Sequence, residues 1–168
     1  MPEERIGLHE SATDAIALAL REAPVGPNDV LVDLGSGLGK VVMLARTLTG
    51  ATARGIEIQP ALVERSRTAA ERLGIEVTFT CGDIREANLD DGTVFYLYSP
   101  CAGKALAAVM DRLHAVARKH RIVVCALGVD LERFAPWLER RALDSFWLAI
   151  YDSAICASPN PVVIAAPP

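Results

Sequence analysis

From residue 30 onward, short apolar runs alternate with amphipathic stretches of helical period, and this alternation constrains the chain more than any other feature. A helix placed between two strands returns the chain to the same end of a sheet, so the pattern predicts βαβ units and a mostly parallel sheet. Strands are expected at residues 30–34, 53–58, 75–81, 93–98 and 122–127, with 146–151 and 161–165 close enough to form a terminal hairpin. Between them the pattern predicts a helix from Lys40 stopped by Gly50, and one from Gln59-Pro60 to Gly74 with Leu62, Val63, Ala70 and Leu73 inward. A third carries Leu106, Val109, Met110, Leu113 and Val116 at helical spacing, and a last one is expected at 131–143. Ser11-Ala12-Thr13-Asp14 has the layout of a capping box and opens an earlier helix ending near Ala23-Pro24.

The 168 residues suit a single domain, with 28–168 as its core and 1–27 as a helical segment able to fold over it as a lid. The acidic, polar start and the lack of any long apolar run predict a soluble, cytoplasmic protein. Lys+Arg 17 against Asp+Glu 21 gives a net charge of -4 and no general attraction for nucleic acid, so a nucleic-acid partner is not expected. The basic run Arg118-Lys119-His120-Arg121 reads instead as the charged end of a helix. Cys81, Cys101, Cys125 and Cys156 form no C-x-x-C pair, and His9, His114 and His120 lie far from them. No metal site is expected, and each cysteine should pack as a small hydrophobe. A hydrophobic share of 51% leaves room for an apolar contact with a partner or a second copy of the chain.

The segment Asp33-Leu34-Gly35-Ser36-Gly37-Leu38-Gly39 sits where a buried strand gives way to a helix. Glycines there allow a tight turn and close approach of a ligand to the backbone, and the helix start offers unpaired N–H groups. A Walker loop would need Gly at 34 and Ser or Thr at 41, where this chain has Leu34 and Val41. The dinucleotide fingerprint would need Gly at 40, occupied by Lys40, whose side chain is expected to reach outward into solvent. What matches is D-x-G-x-G-x-G, followed by Glu57 closing the second strand and Asp83 following the third.

With these residues the chain resembles the class I S-adenosylmethionine-dependent methyltransferase family. The resemblance implies a Rossmann-like α/β fold: a seven-stranded, mostly parallel sheet with helices on both faces and a C-terminal antiparallel hairpin. It implies S-adenosyl-L-methionine as cofactor, held by Asp33, Gly35, Ser36, Gly37, Gly39, Glu57, Ile58, Asp83 and Ile84. Glu57 would accept both ribose hydroxyls and Asp83 the adenine amino group. From the residues alone, a cap of the following turn is the lesser alternative for Asp33 and a helix or turn cap for Asp83, whereas a carboxylate amid Gly55, Ile56 and Ile58 needs a hydrogen-bonding reason. Loss of Glu57 is expected to weaken cofactor binding and leave the fold intact.

The Asp-Leu-Gly-Ser-Gly start and Glu57-Ile58-Gln59-Pro60 look most like the small non-SET protein-lysine methyltransferases, which implies a protein lysine as acceptor. A small-molecule acceptor and a non-catalytic S-adenosylmethionine-binding protein are the alternatives. Base-methylating members of the family end the fourth strand with an Asn/Asp-Pro-Pro-aromatic loop, where this chain has Tyr98-Ser99-Pro100-Cys101. Tyr98 and Ser99 are the polar groups placed to orient a nucleophile, although Tyr98 can also be a core aromatic. His9-Glu10-Ser11 could close over the methionine end or simply cap the first helix.

Overall fold

A computed structural model describes residues 13–99 and 101–154. The elements run α1 (Thr13–Glu22), β1 (Val30–Leu34), α2 (Lys40–Thr49), β2 (Thr52–Glu57), α3 (Pro60–Leu73), β3 (Thr78–Cys81), β4 (Val94–Tyr98), α4 (Gly103–Ala117), β5 (Val123–Leu127), β6 (Leu138–Arg140) and β7 (Leu148–Ser153).

Seven strands form one sheet in the order β3-β2-β1-β4-β5-β7-β6. The first five are mutually parallel, while β7 runs antiparallel to both β5 and β6. Alternate residues of the central strands feed two cores. Leu31, Val94, Tyr96, Cys125, Leu127, Leu148 and Ile150 pack with α1, α2 and α3 on one face. Val32, Leu34, Phe95, Leu97, Val124, Ala126 and Tyr151 pack with α4 on the other. Strands buried on both faces explain why β1, β4 and β5 read as unbroken apolar runs. The chain leaves β1 in one direction toward β2 and β3 and returns on its other side to β4 and β5, so a crevice opens between the carboxyl ends of β1 and β4.

Several expectations are corrected. Residues 131–143 form no helix: a turn over Leu131–Ala135 leads into β6. Pro136 in mid-segment lacks the N–H a helix would need and disfavours helical backbone before it. Leu73 is 65% exposed rather than inward, because the helix ends there and Gly74 turns the chain away. The third strand pairs only from Thr78. Among the described residues β7 pairs antiparallel with β5 and β6, and the 161–165 strand expected as its hairpin partner lies outside them. Cys81 is exposed, Cys101 half-buried and Cys125 buried, while Cys156 lies outside the described residues. His114 stacks on Trp137 and His120 bonds the carbonyls of Asp90 and Arg121. No described helix is long and apolar enough to cross a membrane.

Candidate active site

The carboxyl ends of β1, β2 and β3 bring the three acids to one edge of the sheet. Parallel pairing sets Asp33 opposite Gly55, and Glu57 opposite Cys81 two residues before Asp83. The glycine loop is tied back onto β2. Gly35 and Ser36 both donate their N–H to the Ile56 carbonyl, at 2.9 and 3.0 Å. Gly35, Gly37 and Gly39 have φ of 91°, 51° and 77°, backbone that side-chain-bearing residues rarely adopt. At Gly39 a Cβ would also lie 2.4 Å from the Phe79 ring, so β3 presses against the loop from below. Gly39 opens α2 and, having no side chain, caps none of the first N–H groups of that helix.

Glu57 is only 6% exposed. Its Oε2 accepts from Gly37 N–H and its Oε1 from Gln59 N–H, each at 2.9 Å. Two backbone donors thus fix the carboxylate, and each oxygen retains a lone pair for a further donor. Glu57 therefore also ties the glycine loop to the end of β2. Asp33 is buried beside it, and burial followed by the Glu57 charge pushes its carboxyl up to about 8.

Ser36 Oγ is buried with no hydrogen-bond partner among the described residues. A Cβ on Gly55 would stand 2.4 Å from that oxygen, so the strand glycine provides the space Ser36 occupies. Gly55 was not expected as a site residue, although an isolated glycine inside a strand signals such a close approach.

Asp83 departs most from expectation. Its carboxylate is clasped by Arg85, whose backbone N–H and Nε reach Oδ1 at 2.8 and 3.0 Å and whose Nη2 reaches Oδ2 at 2.5 Å. The Arg85 guanidinium holds the Asp83 carboxyl below the usual carboxylate range. The capping role is thus realised, and Arg85 is a neighbour that sequence spacing did not flag. Ile58, 47% exposed, and half-buried Ile84 follow the adjacent ends of β2 and β3 and offer apolar surface on either side of Glu57 and Asp83. Lys40 is half-buried at the first turn of α2 rather than fully solvated.

Across the crevice, Tyr98 closes β4, half-buried against the α1–α3 core, and Leu34 of β1 pairs with Leu97 beside it. Ser99 adopts φ 41°, and its Oγ donates to the Gly128 carbonyl at 3.2 Å. A non-glycine residue in that region is a local strain held by its surroundings. His9, Glu10 and Ser11 lie outside the described residues.

Residues 31–124, more than half of the chain, match the family model described as a methyltransferase domain. The chain belongs to the class I S-adenosylmethionine-dependent methyltransferase family. A ribosomal protein L11 methyltransferase of Cupriavidus necator is 30% identical over 141 residues, covering 82% of this chain and 46% of that protein. The chain thus spans about half the length of the curated relatives it matches. An RNA methyltransferase from Salinibacter ruber, solved with S-adenosyl-L-homocysteine, superposes with a TM-score of 0.68 at 31% identity and covers 88% of this chain and 94% of that one. The PH0226 protein of Pyrococcus horikoshii shares the fold, with a TM-score of 0.64 at 14% identity over 82% of this chain and 87% of its own.

Proposed function

We propose that this methyltransferase binds S-adenosyl-L-methionine across the carboxyl ends of β1, β2 and β3 and transfers its methyl group to a lysine side chain of a protein. The observation that carries the cofactor reading is Glu57, a buried carboxylate fixed by Gly37 and Gln59 N–H with a lone pair left on each oxygen. Two vicinal ribose hydroxyls are the natural donors for such a pair of acceptors. Gly35, Gly37 and Gly39 let the ligand meet backbone rather than side chain, and Ser36 Oγ is a buried polar atom still to be satisfied. Ile58 and Ile84 enclose the adenine, whose amino group Asp83 accepts once the Arg85 guanidinium yields one oxygen.

The bound cofactor supplies an electrophilic methyl group on a sulfonium. The protein's part is to place the acceptor in line, keep water away and leave the nucleophile unprotonated. A lysine ammonium has no lone pair and would meet the sulfonium charge at close range, so the amine must arrive neutral. The ring of Tyr98, half-buried at the end of β4, offers an apolar surface that disfavours the charged amine. Tyr98 hydroxyl and Ser99 then orient the nitrogen.

A protein acceptor is supported by the ribosomal-protein relatives and by the lack of an acidic or amide residue at Tyr98-Ser99-Pro100-Cys101. The second reading is an RNA acceptor, favoured by the Salinibacter ruber structure, which matches nearly end to end. Incubation with methyl-labelled S-adenosylmethionine and a cell lysate, read by mass spectrometry, separates them. Label on protein lysine is expected. Label only on RNA, or only on small metabolites, would overturn the lysine assignment.

A further inference from the structure

Two large aromatic side chains stand almost bare beside the crevice. Phe146 is 90% and Trp147 70% exposed, and their rings meet edge to face at 5.0 Å. They immediately precede β7, whose first residue, Leu148, pairs with Leu127, the last of β5. The pair therefore lies at the carboxyl edge of the sheet, the edge that carries the site. Trp147 carbonyl accepts from Gly128 N–H at 2.9 Å, and the Gly128 carbonyl accepts from Ser99 Oγ at 3.2 Å. Two consecutive hydrogen bonds thus join the aromatic pair to the corner where Tyr98 and Ser99 receive the acceptor. Gly128, at φ +63°, adds no bulk there: a Cβ would sit 3.4 Å from Tyr98 Cε2 and 3.5 Å from Ser99 Oγ.

Neither ring contributes to the core, and keeping two such surfaces in water is unfavourable unless something covers them. The charges nearby indicate what. Between Gly128 and Trp147 the chain carries Asp130, Glu132, Glu139 and Asp144 against Arg133, Arg140 and Arg141. Arg140 reaches Glu132 at 3.5 Å and Arg141 clamps Asp152 at 2.6 Å. Glu139 pairs opposite Asp152 toward the far end of β7, where Asp152 is shared by Arg121 and Arg141, so the charges nearest the aromatic pair along the chain are two acids, Asp144 two residues before Phe146 and Asp130 two after Gly128. Such a surface attracts ammonium groups and repels phosphate.

We infer that Phe146 and Trp147 form an aromatic platform that binds the cationic side chains of a lysine-rich protein segment as it enters beside Tyr98 and Ser99. The inference rests on the protein-lysine reading above and adds the place where the segment is gripped.

The test is calorimetric titration of the full chain, loaded with S-adenosylhomocysteine, with a lysine- and alanine-containing peptide and, separately, with a single-stranded RNA oligonucleotide. The Phe146→Ala/Trp147→Ala double variant should bind the peptide roughly 3- to 30-fold more weakly, the range spanned by one or two cation–π contacts. Trp147→Phe should retain most of the affinity, and S-adenosylhomocysteine binding and the melting temperature should not change in either variant. Equal peptide binding by wild type and double variant, no peptide binding by the wild type, or a loss confined to RNA would each overturn the platform. A wild type that grips the peptide through the pair yet transfers no methyl to lysine would sink the lysine reading alone. One that methylates lysine while the double variant binds peptide undiminished would sink the platform alone.

Discussion

Replacing Glu57 by Gln keeps the side-chain volume, removes the charge and breaks one of two backbone contacts. Glu57 accepts one backbone N–H on each oxygen, from Gly37 and Gln59 at 2.9 Å. An amide has a single oxygen, so one of those N–H groups must face an NH2 donor whichever way the amide is turned. Losing one charge-assisted hydrogen bond in this buried position costs about 1.5–3 kcal/mol. For a chain of this size about 1 kcal/mol corresponds to roughly 2–4 °C, so thermal unfolding should fall by roughly 3–12 °C. The ribose hydroxyls would then meet a neutral acceptor, and a loss of about 1–3 kcal/mol corresponds to about 5- to 150-fold weaker S-adenosylhomocysteine binding. Calorimetry, run well below the lowered midpoint, reads the affinity separately from the stability. A lowered midpoint with unchanged affinity would assign Glu57 to the loop alone and refute the ribose role. Wild-type values of both would refute the geometry itself.

Four further outcomes are expected at the same site. Asp33 keeps its proton in the folded state up to about pH 8, while the unfolded chain loses it near pH 4, so its contribution to stability declines as pH rises through that window. Asp33→Asn should flatten this decline and stabilise most near or above pH 8; urea unfolding at about pH 5 and pH 8.5 checks it, and an equal effect at both refutes it. Gly39→Ala forces a Cβ to 2.4 Å from Phe79 at φ +77°, and chemical denaturation should show a loss of about 2–4 kcal/mol. Arg85→Ala takes the guanidinium off both Asp83 oxygens and leaves only the backbone N–H on Oδ1, so S-adenosylhomocysteine should bind about 2- to 10-fold more tightly in calorimetry; weaker binding would remove Asp83 from adenine recognition. Tyr98→Phe should lower kcat more than it changes cofactor affinity, and wild-type turnover should climb with pH in the mildly alkaline range as the acceptor amine loses its proton; steady-state kinetics against pH reads both.

The strands and most helices were legible because burial on both faces leaves an unmistakable apolar pattern in β1, β4 and β5, and because Gly50 and Gly74 end α2 and α3 in left-handed backbone. The 131–143 segment misled because its apolar spacing is helical while Pro136 forbids the helix, and residues 138–140 pair with β7 instead. At the site, the D-x-G-x-G-x-G loop, Glu57 and Asp83 stood out as residue types at strand ends. The Arg85 clasp on Asp83 was hidden, since an arginine two residues after an aspartate is equally common on a solvated turn. Glu57's hold on Gly37 was hidden as well, because a contact across twenty residues depends on how the loop folds back over β2. Phe146 and Trp147 read as the start of a strand, and only the structure places them outside the core.

The central claim, a cofactor held by Glu57 over the glycine loop, is tested most directly by a crystal structure of the protein with S-adenosylhomocysteine bound. Both ribose hydroxyls should lie within hydrogen-bond distance of the Glu57 carboxylate, with the ligand against Gly35 to Gly39 and the adenine between Ile58 and Ile84. A ligand seated elsewhere, or in that crevice with Glu57 touching only Gly37 and Gln59, would contradict the claim.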